Sequence, residues 1–421
     1  MSPVADATRP APAARDDAPR AMLAGLRVVE VAGLVAGPYC GRILAALGAD
    51  VVKVEPPGLG DPARRREPFL GGRTGPEDSA LFFSLNCNKR GVTLDVGQPA
   101  GRALLGRLLE RADVLIEDLA PDRKAEVGID AASLGRLNRA LVAVSITPFG
   151  VTGPWRNYRA YELQVFHAGG EGYLLPNGLA LELFPERPPL KIGGLPAQYQ
   201  AGLSAAAAVA AALIARAGDG LGQSIDLAQR DVQLVLSCMA LQRYTDGVLE
   251  HRTTRSFRYG GVLPCADGYV ALLTLEQRQW EGLVAMMDNP EWTRDERFRD
   301  PIRRAEHGAE INRKLRAWSR THTVAEVLAR ARRHGVPVGQ FHSPADVCES
   351  RHERERGFFQ EVPHHELGFI RTPTFPFRFS ATPAMLRKGA PRLGEHNRAV
   401  YQDELGLSAE ELAKLVSAGV I

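Results

Sequence analysis

The sequence predicts an α/β fold: a Rossmann-like large domain on a parallel sheet, plus a smaller α/β domain. Short β-branched runs at Arg27–Val31, Val51–Val54, Val92–Leu94, Val114–Ile116 and Leu141–Ile146 alternate with helical stretches such as Ala100–Arg111. Such alternation argues for parallel strands covered by helices. The segment Leu26–Asp61, LRVVEVAGLVAGPYCGRILAALGADVVKVEPPGLGD, has the order strand, glycine turn, helix, strand of one βαβ unit. After Arg252 the texture changes, and a short β region (Val262–Leu273) leads into charged helical stretches at Gln277–Met287, Ile302–Trp318 and Val324–His334.

Within the first unit, Arg27–Val31 reads as a buried strand, Gly33 and Gly37 as a turn, Tyr39–Leu47 as an apolar helix and Val51–Glu55 as a second strand ending in an acid. Ligands of such units sit past the carboxyl ends of the strands, so chemistry is sought at the glycine turn. A dinucleotide is the obvious candidate, because Glu55 lies about twenty residues past the turn, where a ribose-binding acid usually stands. The glycines oppose it. Gly33, Gly37 and Gly41 are four apart, not in the G-x-G-x-x-G pattern that admits a pyrophosphate. Close strand–helix packing without a ligand explains the same spacing.

Further along, Ala201–Arg216 reads as an alanine-rich buried helix, too short in its apolar run for the ~20 residues of a membrane span. Gln223–Asp226 starts a strand that leads into a helical stretch, Ala228–Tyr244, and Ala409–Ala418 forms a final helix. The expected organisation is a disordered tail over 1–21, a large domain over 22–250, a small domain over 251–336, and a C-terminal segment over 337–421 that returns to the large domain. The tail carries three aspartates and no apolar core segment, unlike a signal or transit peptide.

Composition excludes several classes. The net charge of +3 over 421 residues gives no reason to expect nucleic acid or a membrane surface as partner. Five scattered cysteines, with no C-x-x-C pair, read as reduced thiols in a cytoplasmic protein, without a disulfide framework or a zinc site. The adjacent histidines His364 and His365 have no further ligand at a metal-binding spacing, so no metal is expected.

Several segments in order resemble one family. The Leu26–Asp61 unit is followed by FFSLNCNKRGVTLD (Phe82–Asp95), DVLIEDLAPDRKAEVG (Asp113–Gly128) and ITPFGVTGPWRNYRAYE (Ile146–Glu162). GLGQSIDLAQRD (Gly220–Asp231), YGGVLPCADGYVALL (Tyr259–Leu273), HGVPVGQFHSPADV and APRLGEHNRAVYQDELGLSAEEL continue the series. Together they resemble the family III CoA-transferases, which include formyl-CoA transferase, carnitine CoA-transferase and α-methylacyl-CoA racemase. The resemblance covers nearly all of residues 22–421. It implies an interlocked dimer, acyl-CoA and carboxylate substrates, and no permanently bound cofactor. It also implies CoA contacts from Gly33, Leu34, Val35 and Ala36 at the first turn, from Asn88, Lys89, Arg90 and Leu94 in the second signature, and from Asp118, Leu119 and Lys124 in the third.

The catalytic position departs from the pattern. Family members carry G-D-x-x-x-G before the helix that corresponds to Ala201–Arg216, and that aspartate attacks the donor thioester to give a mixed anhydride and CoA thiolate. Here the stretch is GGLPAQYQAG, and counting back from Gly202 puts Gln198 at the nucleophile position. A carboxamide is neutral and a poor oxygen nucleophile. Tyr161 and Glu162 match a Tyr-Glu pair of the transferase active site, where the racemases carry His-Asp, so α-proton abstraction is not expected. Val35 replaces a glutamine of formyl-CoA transferase, so formyl transfer is not supported. Glu162 is the best alternative carboxylate, with Glu171 and Glu182 behind it. The Arg64–Arg66 run suits a solvated loop and a phosphate clamp equally. Four readings follow: a CoA-transferase with a non-standard active site; the Asp-lacking subunit of a heteromeric one, dimerising with an Asp-bearing paralogue; an acyl-CoA isomerase, lyase or hydrolase; and a non-catalytic CoA-binding or scaffold protein.

Overall fold

The computed structural model describes residues 21–176, 184–236 and 259–421. The chain divides into two compact units, one formed by Met1–Val165, Gly194–Val232 and Phe358–Ile421, the other by Phe166–Gly193 and Gln233–Gly357. The chain thus re-enters the first unit at Phe358, later than the expected residue 337. The reason is local: Val338–Gln340 pairs with a strand of the second unit, and two short helices, Pro344–Glu349 and Arg351–Arg356, follow it.

The first unit is built on six parallel strands. In chain order these are β1 (Arg27–Val31), β2 (Asp50–Glu55), β3 (Arg90–Thr93), β4 (Val114–Glu117), β5 (Val142–Thr147) and β6 (Ser224–Ala228), and they lie side by side as β3-β2-β1-β4-β5-β6. The first five were legible as largely hydrophobic runs because the sheet is buried on both faces there; β6, SIDLA, is partly exposed and shows only as the strand start expected at Gln223–Asp226. On one face Val28, Val51, Val114 and Val144 meet α1 (Ala36–Ala46) and the long helix Pro196–Asp219; on the other, Val29, Val52 and Leu115 meet α3 (Pro99–Leu109) and the C-terminal segment. The short helix α2 (Ala80–Asn86) precedes β3, while α4 (Pro121–Val127) and α5 (Ala131–Leu137) fill the β4–β5 connection. The edge strand β3 is covered by the C-terminal segment: Asn397 accepts the Thr93 N–H at 2.8 Å, and the Tyr401 hydroxyl donates to the Thr93 carbonyl at 2.9 Å. That cover removes an open sheet edge.

Helix α6 (Glu162–Ala168) precedes α7 (Pro196–Asp219), the 24-residue helix announced by the alanine run. It is the one helix among the described residues long and apolar enough to cross a membrane by length and composition. Its buried face (Ala197, Gln198, Ala201, Gly202, Ala205, Ala206, Val209, Ala212) packs on α1 so closely that a Cβ at Gly202 would stand 2.5 Å from the Ala36 carbonyl oxygen. The expectation of a buried helix holds for that face only. Leu203 and Ile214 lie on its other side and are 50% and 76% exposed. Helix α8 (Gln229–Leu236) follows β6, and the remainder of the expected helix to Tyr244 lies outside the described residues, as does Glu182.

The second unit holds a three-stranded antiparallel sheet of β7 (Gly261–Pro264), β8 (Tyr269–Leu272) and β9 (Val338–Gln340). Alternate residues Val270 and Leu272 of β8 enter a core with Trp280, Leu283, Phe298, Ile311 and Val327 from the helices of that unit. The expected helix Ile302–Trp318 is two, Pro301–Glu306 and Gly308–Ser319, broken at His307.

Candidate active site

Strand order reverses between β1 and β4, and the crevice beyond their carboxyl ends is where ligands of an open α/β sheet bind. The residues just past those ends meet there. The Gly33 N–H donates to Asp118 Oδ2 at 2.8 Å, and the Leu34 N–H donates to Asp61 Oδ1 at 2.9 Å. Leu34 is held at φ 61°, a left-handed conformation that costs a branched side chain energy and persists only where its surroundings enforce it. The two carboxylates supply that enforcement.

A cleft of about 560 Å³ opens above this turn. Gly33, Leu34, Ala36, Leu94, Asp118, Leu119, Tyr161 and Gln198 line it, so eight of the residues expected from sequence come together. The others do not. Val35 is fully buried. The Asn88 side chain accepts the Arg387 and Lys388 N–H groups and donates to Met385 O, which ties down the C-terminal segment. Arg90 clamps Asp50 of β2 and Glu404. Lys89 is buried against Glu30 at 2.8 Å, and Lys124 against Glu117 at 2.7 Å and the Ser145 hydroxyl. These basic side chains neutralise neighbouring acids, which removes them from the cleft as phosphate ligands.

The turn glycines divide the same way. Gly33 lines the cleft, whereas a Cβ on Gly37 would meet Ala32 Cβ at 2.2 Å, and one on Gly41 would meet Glu30 Oε2 at 1.9 Å. Those two serve helix–strand packing.

Beneath the cleft runs a buried chain of ion pairs. Lys89 and Lys53 both contact Glu30, and Lys53 Nζ reaches Asp61 Oδ2 at 2.7 Å. Burial works against both charges, but the Lys53 ammonium holds Asp61 below the ordinary carboxylate range, while Asp61, Glu30 and Glu55 hold Lys53 up. Glu55 takes two bonds from Arg64, at 2.7 and 2.9 Å, and one from the Asp61 N–H. Asp61 lines the cleft although sequence reasoning passed over it, the Gly-x-Gly-Asp turn at 58–61 being the available signal; Glu55, considered as a ribose acid, and Arg66, of the run considered as a phosphate clamp, line it too.

At the other side of the site, Glu162 is 5% exposed and caps α7: its two oxygens accept the N–H groups of Ala197 at 3.0 Å and Gln198 at 3.2 Å. Satisfying the orphan amides of a helix start, in favourable alignment with its dipole, is a structural task. Tyr161, by contrast, is 68% exposed and faces the cleft.

The sequence profile of CoA-transferase family III matches residues 23–397. The chain belongs to CoA-transferase family III. It is 32% identical over 402 residues to a succinyl-CoA–D-citramalate CoA-transferase of Chloroflexus aurantiacus, covering 94% of this chain and 97% of that one. A relative from the same organism, the succinyl-CoA–L-malate CoA-transferase beta subunit, is 30% identical, with 95% and 98% covered. Among solved structures, a CAIB/BAIF family protein from Brucella suis superposes with a TM-score of 0.81 at 31% identity, covering 90% of this chain and 98% of that one. As a family III CoA-transferase the chain is an enzyme of acyl-CoA metabolism whose substrates are CoA thioesters. Gln198 then stands in the first turn of α7, at the wall of the cleft.

Proposed function

We propose that this chain binds an acyl-CoA in the β1/β4 cleft and acts as the Asp-lacking subunit of a heteromeric CoA-transferase in the cytoplasm. In that assembly CoA moves between an acyl-CoA thioester and a carboxylic acid, and an Asp-bearing paralogue supplies the nucleophile. The observation that carries this reading is the Glu162–α7 cap beside Gln198. Position 198 offers the cleft a carboxamide, and the nearest alternative acid has both oxygens engaged on backbone amides. A Glu162 engaged in this way is a poor candidate for attack on a thioester, which disfavours a self-sufficient homodimer. The relative named as a beta subunit supports a division of labour between related chains.

The test is transfer activity with a panel of acyl-CoA donors and carboxylic acids. The wild-type chain alone is expected to be inactive or slow, and Q198D to gain activity. The introduced carboxylate has a reference pKa of ~3.9 and stays ionised at neutral pH; the α7 start favours the anion while the neighbouring Glu162 pushes its pKa up. Mixing the wild-type chain with an Asp-bearing paralogue should restore turnover. Brisk wild-type turnover without a partner contradicts the proposal.

A further inference from the structure

Three consecutive arginines follow the turn at Asp61, and each has a different job. Arg64 is fully buried: it grips the Glu55 carboxylate with two nitrogens, reaches Glu77 at 2.6 Å and lies 3.6 Å above the Phe82 ring. Arg65 bonds the Leu59 carbonyl at the surface. Arg66 has a backbone fixed on both sides, its N–H on Ala63 O at 3.1 Å and its carbonyl accepting the Ser79 hydroxyl at 2.7 Å. Its guanidinium is exposed, lines the cleft and has no ion-pair partner among the described residues. The other charges at the cleft wall are acids, and two of them, Glu55 and Asp61, are neutralised by Arg64 and Lys53. Arg66 is therefore the cleft's one basic lining residue among those described, mounted on a rigid turn and facing walls of Val31, Leu94, Leu119 and Ile146.

We propose that Arg66 sets substrate specificity by holding the distal carboxylate of a dicarboxylic acyl group or acceptor acid, an inference that rests on the cleft being the acyl-CoA site. The chemistry fits the residue. A guanidinium presents paired N–H donors that match a carboxylate in plane, and it does so better than an ammonium. A second carboxylate entering an apolar-walled cleft needs a fixed counter-charge to offset its lost hydration. A thioester with a neutral acyl chain makes no such demand.

The rival occupant of the guanidinium is a phosphate of CoA itself, and calorimetric titration of the full chain separates the two. Wild type and R66Q are titrated with CoA, butyryl-CoA and succinyl-CoA, whose acyl groups are absent, neutral and anionic. Wild type should bind succinyl-CoA about tenfold or more tighter than butyryl-CoA, the scale of one charge-assisted contact. R66Q should abolish that preference while leaving the CoA affinity unchanged, and R66K should keep part of it. Equal binding of the two thioesters by wild type overturns the proposal. So does an equal loss for all three ligands in R66Q, which assigns Arg66 to phosphate. Failure of wild type to bind any of them instead brings down the acyl-CoA reading of the cleft, and Arg66's role with it.

Discussion

Asp118 is exposed at the cleft wall and accepts the Gly33 N–H at 2.8 Å, with Glu117 and Asp61 adding like charge. Desolvation first, and these neighbours second, raise its pKa to about 7, upward from the ordinary carboxylate range. The folded state therefore keeps this proton at pH values where the unfolded chain has lost it, and the contribution to stability falls as pH rises from ~3.9 through that raised value. Above it an anion faces the ligand. CoA affinity should weaken as pH rises through about 7, and D118N, whose amide oxygen still accepts from Gly33, should bind more tightly at high pH with a flat profile. A titration series across this range checks it; an unchanged slope in D118N counts against Asp118 as the source. Sequence could name Asp118 and Gln198 because both stand in ordered motifs. It could not separate Asn88, Lys89 and Arg90, which look like phosphate ligands but spend their side chains on Met385, Glu30 and Asp50. Ion pairing between residues far apart in the chain leaves no mark on the local pattern.

At the scale of elements the parallel strands were the most legible part, since burial on both faces fills the first five with β-branched and other apolar residues. Strand bounds shifted by a residue or two, as at β2, where Asp50 joins the strand expected to run from Val51 to Glu55. Helix α7 was legible in type but not in burial: alanine suits a close approach to α1 through Gly202, and says nothing about what covers the far side. The four-residue glycine spacing was legible as packing. Gly41 sits where a Cβ would strike Glu30 Oε2 at 1.9 Å, and Glu30 is held by two lysines and cannot yield. G41A should therefore cost about 2 kcal/mol or more in unfolding free energy. The control is G106A in α3, where a Cβ meets nothing within 4 Å; it should be neutral or stabilising by roughly 0.5–1 kcal/mol. Denaturant titration of both variants decides, and equal effects would mean that the α1–β1 approach is not close.

For the whole molecule, the return of Phe358–Ile421 to the first unit and the exposed Leu203, Ile214, Val235 and Leu236 on α7 and α8 favour an assembly of at least two chains. Light scattering at micromolar concentration should find a particle of two chains or more that survives dilution; a folded monomer would remove the interlocked architecture. Whether the partner is a copy or a paralogue follows from where the acyl group is carried. The decisive measurement is acyl-enzyme trapping: wild type and Q198D are each mixed with acyl-CoA, quenched with hydroxylamine or borohydride, and mapped by peptide mass. An Asp-lacking subunit should show no modified acid in the wild-type chain alone and a modified residue at position 198 in Q198D. Trapped acyl chemistry on Glu162 or any other carboxylate of the wild-type chain, lost on E162Q if Glu162 carries it, would contradict the Asp-lacking-subunit reading.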